Sequence, residues 1–161
     1  VTPSSIVRIM ADDGIVFQNS INRQAIMSRQ DAAIMVDMLK AVIVEGTGKR
    51  ARHIKKDIAG KTGTTDHYKD AYFIGVSPEI ALGVWVGNDD STTLGPYETG
   101  ARAALPIWVE YMEAFLKDKP VQYFDIPDGT KMIYIHPDTG QILTQTNSMA
   151  VRALIKTKDN P

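Results

Sequence analysis

The sequence predicts an α+β fold in which an antiparallel β-sheet is flanked by helices, and three observations carry that expectation. Two β-rich apolar runs, Asp70 to Pro78 and Ile80 to Asp89, are separated by a Ser-Pro-Glu turn. Ile58 to Thr65, just upstream, joins them as the first of three successive antiparallel strands. Two segments with apolar residues at helical spacing, 28 to 45 and 101 to 117, supply the covering layer.

Taken in order, Arg8 to Phe17 reads as two short strands around Asp12-Asp13-Gly14, because Asp-Gly supplies the positive backbone angles of a tight hairpin turn. Ser28, three residues before Asp31, is an N-cap for a helix whose stripe is Ala32, Ala33, Met35, Val36, Leu39, Val42 and Ile43. That stripe is expected to be core rather than an adaptable partner groove. Gly46 ends the helix. Lys49 to Lys56 is basic, includes His53, and reads as a solvated loop leading into the next strand.

The helix over 101 to 117 places Ala103, Ala104, Ile107, Trp108, Tyr111, Met112, Phe115 and Leu116 on one broad face, with Pro106 tolerable only in its first turn. It should pack on the sheet. Lys131 to Ile135 and Gln141 to Thr144 flank His136-Pro137-Asp138-Thr139-Gly140 as a second hairpin, and the final residues, rich in Lys, Asp and Asn, are expected to fray. Two units follow, 1–120 and a C-terminal hairpin extension with its tail, 121–161.

Composition excludes several classes of function. The 161 residues can bury a real core, and 18 basic against 19 acidic side chains give a net charge of −1, which suggests no nucleic-acid surface. With no cysteine, disulfides and thiolate-bound metals are excluded. His53, His67 and His136 lack metal-ligand spacing, so no metal and no cofactor is expected. No apolar run is long enough to span a bilayer. Because Val1 opens neither a signal peptide nor an obvious translation start, the chain is expected to be cut from a longer one.

The chemistry concentrates in Ala59-Gly60-Lys61-Thr62-Gly63-Thr64-Thr65. A lysine and three threonine hydroxyls, punctuated by two glycines, suit the gripping of a carboxylate and an extended peptide. Glycine weakens a strand, so two in one strand suggest that another backbone approaches closely. A peptide could add beside this strand through main-chain hydrogen bonds, with Lys61 as point charge and Thr62 and Thr64 as directional donors.

With its flanks, Asp70-Ala71-Tyr72-Phe73-Ile74-Gly75 and Trp85-Val86-Gly87, this motif resembles the C-terminal part of the transpeptidase domain of class A, bifunctional penicillin-binding proteins. Lys-Thr-Gly is one of that family's signatures. The resemblance covers Ile6 to about Leu116 and includes Gly46-Thr47-Gly48 and Gly100 to Trp108.

The resemblance implies part of the penicillin-binding transpeptidase, or serine β-lactamase-like, fold. It also implies a D,D-transpeptidase that acylates a serine on the penultimate D-alanine of a peptidoglycan stem peptide, passes the acyl group to a second stem's amine, and is acylated by β-lactams. It assigns Lys61 a catalytic, proton-relaying role, places substrate on Lys61, Thr62, Gly63, Thr64 and Thr65, and makes the Thr64 N–H an oxyanion donor. An upstream glycosyltransferase domain, a membrane anchor, and a location on the outer, periplasmic face of the cytoplasmic membrane are implied as well.

One part of the family pattern is absent. No serine in the chain has lysine three residues on, so the nucleophile is expected on a segment upstream of it. Ser20-Ile21-Asn22 matches the family's Ser-x-Asn literally, yet lies too close before Lys61 to serve. The isolated chain is therefore expected to be inactive, to associate with the missing half of its domain, and otherwise to self-associate through apolar surface.

Three rivals remain. A phosphate-binding loop ending in Gly60-Lys61-Thr62 would need glycine where Lys55 stands. A non-catalytic peptide-binding module is the second. A β-lactamase is disfavoured by Tyr72-Phe73 and Trp85-Val86-Gly87. Asp89-Asp90 reads as a turn rather than paired catalytic acids, and Trp85 and Trp108 as packing residues.

Overall fold

The computed structural model describes residues 5–20, 24–144 and 150–157. The first hairpin is β1 (Arg8–Ala11) paired antiparallel with β2 (Gly14–Gln18). Its strands are exposed throughout, with Ile9, Met10, Ile15, Val16 and Phe17 all open to solvent.

Helix α1 (Arg29–Val44) begins as its cap predicts: Ser28 Oγ accepts the Asp31 N–H at 3.1 Å, satisfying one of the donors a helix start leaves unpaired. Its end turns back sharply. The N–H groups of Gly46 and Gly48 reach the Val42 carbonyl at 3.1 and 3.0 Å, and a Cβ on Gly46 would stand 2.9 Å from the Val42 backbone. Only glycine permits that approach.

Not all of the α1 stripe is core. Ile43 is buried and Val36, Leu39 and Val42 partly so, but Met35 is 48% exposed beside a still more open Met38. The helix is apolar over a wider arc than its described neighbours cover. The basic stretch that follows also departs from a solvated loop: Lys49–Ala51 form a 3₁₀ turn, and Ala51 and Ile54 are buried while Lys49, Arg50, Arg52 and Lys55 are exposed.

The central sheet has the order β3-β4-β5, all antiparallel, from β3 (Ala59–Thr64), β4 (Asp70–Val76) and β5 (Ala81–Gly87). Helix α2 (Leu105–Leu116) covers its inner face. Trp108 lies there fully buried, its ring 5.0 Å from that of Phe73 and its N–H donating to the Leu82 carbonyl at 3.1 Å. Gly75 makes room, since a Cβ there would meet the indole at 2.5 Å. Phe73, Leu105, Trp108 and Met112 are fully buried, each worth roughly 2–3 kcal/mol of burial.

Helix α2 starts later than its sequence pattern suggests. Gly100–Ala104 form a wide π-helical turn before it, and Pro106 falls in the first regular turn, where its missing N–H is not needed. On the opposite, outer face of the sheet, Tyr72, Ile74 and Trp85 are 37%, 60% and 49% exposed. Trp108 is thus the core tryptophan, whereas Trp85, also expected to pack, lies half in solvent over Gly87.

The C-terminal sheet has the order β7-β6-β8, built from β6 (Thr130–Ile135), β7 (Ile142–Leu143) and β8 (Val151–Lys156). The β6–β7 hairpin is the predicted one, but β8 carries no such expectation. Arg152 and Lys156 dilute its pattern, and its pairing with β6, Leu154 opposite Met132, specifies it instead. Residues 158–161, expected to fray, lie outside the described residues. This sheet docks on α1, where the Leu154 N–H donates to Asp37 at 2.9 Å and Lys156 pairs with Asp31 at 2.8 Å. Asp57 joins the layers by accepting from Lys40 at 2.8 Å and from the Phe124 N–H at 2.9 Å.

Candidate functional site

Among the described residues strand β3 has a ladder partner on one side only, which makes it an edge strand of its sheet. The Thr65 N–H donates to the Asp70 carbonyl at 3.0 Å, which fixes the phase of the ladder. Hydrogen-bonded pairs alternate in an antiparallel sheet, so with Thr64 opposite Ala71 and Thr62 opposite Phe73 the N–H and C=O groups of Thr62 and Thr64 turn toward the open edge. The polar side chains of the motif gather along that edge.

Lys61 is exposed and curls along it, its Nζ donating to the Thr62 carbonyl at 2.8 Å and to Thr62 Oγ1 at 3.2 Å. Thr62 Oγ1 also lies 2.8 Å from Thr47 Oγ1, delivered by the turn after α1. Thr64 Oγ1 accepts the Gly100 N–H at 3.0 Å, at the start of the π-helical turn. A cation, two hydroxyls and an outward-facing main-chain edge thus share one short surface, an arrangement suited to an anionic group at the end of an extended peptide.

Thr65 does something different. Its hydroxyl donates to Asp70 Oδ2 at 3.1 Å and accepts the Asp70 N–H at 2.8 Å, while Asp70 Oδ1 accepts the Trp85 indole N–H at 2.9 Å. This network fastens the corner between β3 and β4. The turn beyond it is strained, with His67 and Tyr68 at φ 60 and 56. Thr93 donates to the His67 carbonyl and the Leu94 N–H to that of Tyr68, both at 2.8 Å.

The motif glycines are explained within the chain itself. A Cβ on Gly60 would strike the Phe73 ring at 2.7 Å. The backbone that approaches Gly63 is that of Gly100, where a Cβ would stand 2.5 Å from the Gly63 carbonyl oxygen and 2.3 Å from that of Tyr72. The expected approach of another backbone holds at Gly63 alone and comes from within the chain, whereas at Gly60 a ring takes its place.

The sequence pointed to Gly46-Thr47-Gly48 and to the segment from Gly100 only as stretches, without a role for Thr47 or Gly100. The structure sets Thr47 against the Thr62 hydroxyl and Gly100 against that of Thr64. A threonine between two glycines just past a helix end is the signal that could have singled out the first.

Other constellations resolve simply. Gly60-Lys61-Thr62 lies in a strand, which removes the loop-to-helix geometry a phosphate-binding loop requires. Asp90 accepts from the Thr92 hydroxyl at 2.7 Å and from its N–H at 3.1 Å, and these bonds hold its carboxyl below the usual range. His53 meets Glu113 at 2.7 Å. Among the described residues no cluster of three His, Cys, Asp or Glu could hold a metal, and no helix is long and apolar enough to cross a membrane. Ile21 and Asn22 of the Ser-x-Asn match lie outside the described residues.

Comparison with known proteins adds relatives. The chain is 39% identical over 136 residues to penicillin-binding protein 1A of Aquifex aeolicus (strain VF5), covering 84% of this chain and 19% of that protein. It is 42% identical over 139 residues to penicillin-binding protein 1A of Pseudomonas aeruginosa, covering 86% of this chain and 17% of the relative. The chain therefore spans about a fifth of the length of these relatives. The crystal structure of penicillin-binding protein 1A from Haemophilus influenzae superposes with a TM-score of 0.74 at 30% identity, over 84% of this chain and 21% of that one. No family model matches the chain.

Proposed function

We propose, from the premise that this chain is kin to the class A penicillin-binding proteins and corresponds to the C-terminal part of their transpeptidase domain, that it forms the substrate-binding wall of a peptidoglycan D,D-transpeptidase. The observation that carries this reading is the convergence of Lys61 Nζ, the Thr62 and Thr64 hydroxyls and outward-facing backbone groups on the edge of β3 that β4 leaves open.

The stem peptide's D-alanyl-D-alanine end lies along β3 as an added strand. Its terminal carboxylate, or that of a β-lactam, sits against Lys61 and the Thr62 and Thr64 hydroxyls. Those contacts place the penultimate carbonyl beside the Thr64 N–H, which stabilises the oxyanion as it forms. A serine from a Ser-x-x-Lys segment elsewhere in the polypeptide attacks that carbonyl. Its proton is relayed toward the departing D-alanine amine with Lys61 holding the charge balance, and the amine of a second stem then resolves the acyl-enzyme. Gly63 keeps the strand thin where Gly100 braces it. Thr65, held by Asp70, fixes the corner from which the strand projects.

In this reading the parent polypeptide also carries a glycosyltransferase domain and a membrane anchor, and works on the periplasmic face of the cytoplasmic membrane. The apolar outer face of the sheet, Tyr72, Ile74 and Trp85, is covered by the remainder of the transpeptidase domain. This chain alone is inactive and self-associates where that cover is missing.

The test is labelling with a fluorescent penicillin, followed by denaturing electrophoresis, of this chain and of the longer polypeptide containing the Ser-x-x-Lys segment. A covalent band on the longer polypeptide alone is expected. Labelling of this chain alone would relocate the nucleophile, and labelling of neither would leave a peptide-binding module.

A further inference from the structure

We infer that Thr47 is a positioning residue of the site, setting the direction in which the Thr62 hydroxyl donates its proton; this rests on the transpeptidase reading above. The inference follows from counting protons around Thr62 Oγ1. A hydroxyl has one hydrogen to give and two lone pairs to accept with. Lys61 Nζ, 3.2 Å away, can only donate to it. The Thr47 hydroxyl, at 2.8 Å, can stand in either direction.

If Thr62 gives its hydrogen to Thr47, nothing is left for a ligand carboxylate, which only accepts. If Thr47 donates, Thr62 Oγ1 accepts from Thr47 and from Lys61, and its own hydrogen points outward. That second arrangement satisfies every atom once a carboxylate is bound. The structure therefore assigns a relay in which Thr47 donates to Thr62 and Thr62 donates to the carboxylate, with Lys61 polarising the shared oxygen. Cooperative polarisation along such a chain strengthens its last bond.

The placement of Thr47 is built in. Gly46 and Gly48 both return their N–H groups to Val42, and a Cβ on Gly48 would lie 2.8 Å from the Ile43 side chain. Those two close approaches pin the turn against α1 and leave Thr47 as its one side chain beyond Cα. The hydroxyl thereby reaches across 15 positions of sequence to the motif.

The test uses the longer, acylatable polypeptide and measures the second-order rate of penicillin acylation in a double-mutant cycle. Thr47→Val should lower the rate roughly five- to tenfold, the scale of one neutral hydrogen bond, and Thr47→Ser should restore it. In a Thr62→Ala background Thr47→Val should have no further effect, because the relay is already cut. An equal loss in both backgrounds would make Thr47 merely structural and overturn the inference, as would wild-type rates for Thr47→Val. If Thr47→Val does not fold, Thr47→Ala carries the same expectation. A wild-type polypeptide that takes no penicillin would instead sink the transpeptidase reading and the inference with it.

Discussion

The Gly100 N–H donates to Thr64 Oγ1 across 36 positions of sequence, at 3.0 Å, and no side chain fits at Gly100 without striking the strands beneath. Its would-be Cβ points at the Tyr72 and Gly63 carbonyl oxygens, 2.3 and 2.5 Å away. Backbone cannot yield as a flexible side chain can. Gly100→Ala should therefore destabilise this chain by about 3 kcal/mol or more, in the range of severe overpacking. Urea unfolding followed by circular dichroism measures it, and a loss under 1 kcal/mol would mean that the π-helical turn relaxes freely.

Lys61 should matter to acylation far more than to folding. It is exposed and makes its contacts along its own strand. In the longer polypeptide Lys61→Ala should cut penicillin acylation about a hundredfold, the scale of losing one charge-stabilising group in a catalytic site. Lys61→Arg should recover only part of that, since a planar fork does not replace a compact ammonium. Wild-type acylation in Lys61→Ala would remove Lys61 from the site.

Trp108 is the element most exposed to a packing test. Trp108→Phe deletes the bond to the Leu82 carbonyl and leaves space against Gly75, so a loss of about 2–3 kcal/mol is expected. Trp85→Phe, at a half-exposed ring bonded to Asp70, should cost less, about 1 kcal/mol. Thermal unfolding of both variants decides it, and the reverse ranking would contradict the placement of the two rings.

Acid should loosen the contact between α1 and β8. Lys156, and then Ser28, hydrogen-bond the Asp31 carboxylate and lower its pKa from the ordinary 3.8. A depressed folded value stabilises the fold fully above the unfolded pKa, and that contribution is lost as pH falls below 3.8 through the folded value. Asp31→Asn should therefore flatten this part of the acid limb of stability. Urea midpoints for the two chains between pH 7 and pH 2.5, about the span over which such a carboxylate titrates, provide the check. Parallel curves would show that the pair contributes nothing.

Much of this was legible in the sequence for local reasons. Ser28 before Asp31, the Ser-Pro-Glu turn, and Pro106 ahead of an apolar face are signals contained within a few residues, and each element formed where they lie. The misses were decisions made by distant partners. Met35 carries a core-like side chain at core-like spacing, yet its burial depends on a surface that no described residue supplies. β8 is ambiguous until β6 pairs with it. In the site, Lys61 and the threonines announced themselves by type. Thr47 and Gly100 act through one hydroxyl and one backbone N–H, and only the fold brings these within reach of the motif.

That β3 is an edge strand bears on how such a surface can change over time. An amide pointing from a strand edge is chemically the same for every amino acid but proline, so of all substitutions only proline erases it. A ligand read mainly through those amides meets a surface that substitution can scarcely disguise. Escape from an inhibitor of that kind would have to come through the rim instead, through hydroxyls such as Thr62 and Thr64, or through the braces behind them.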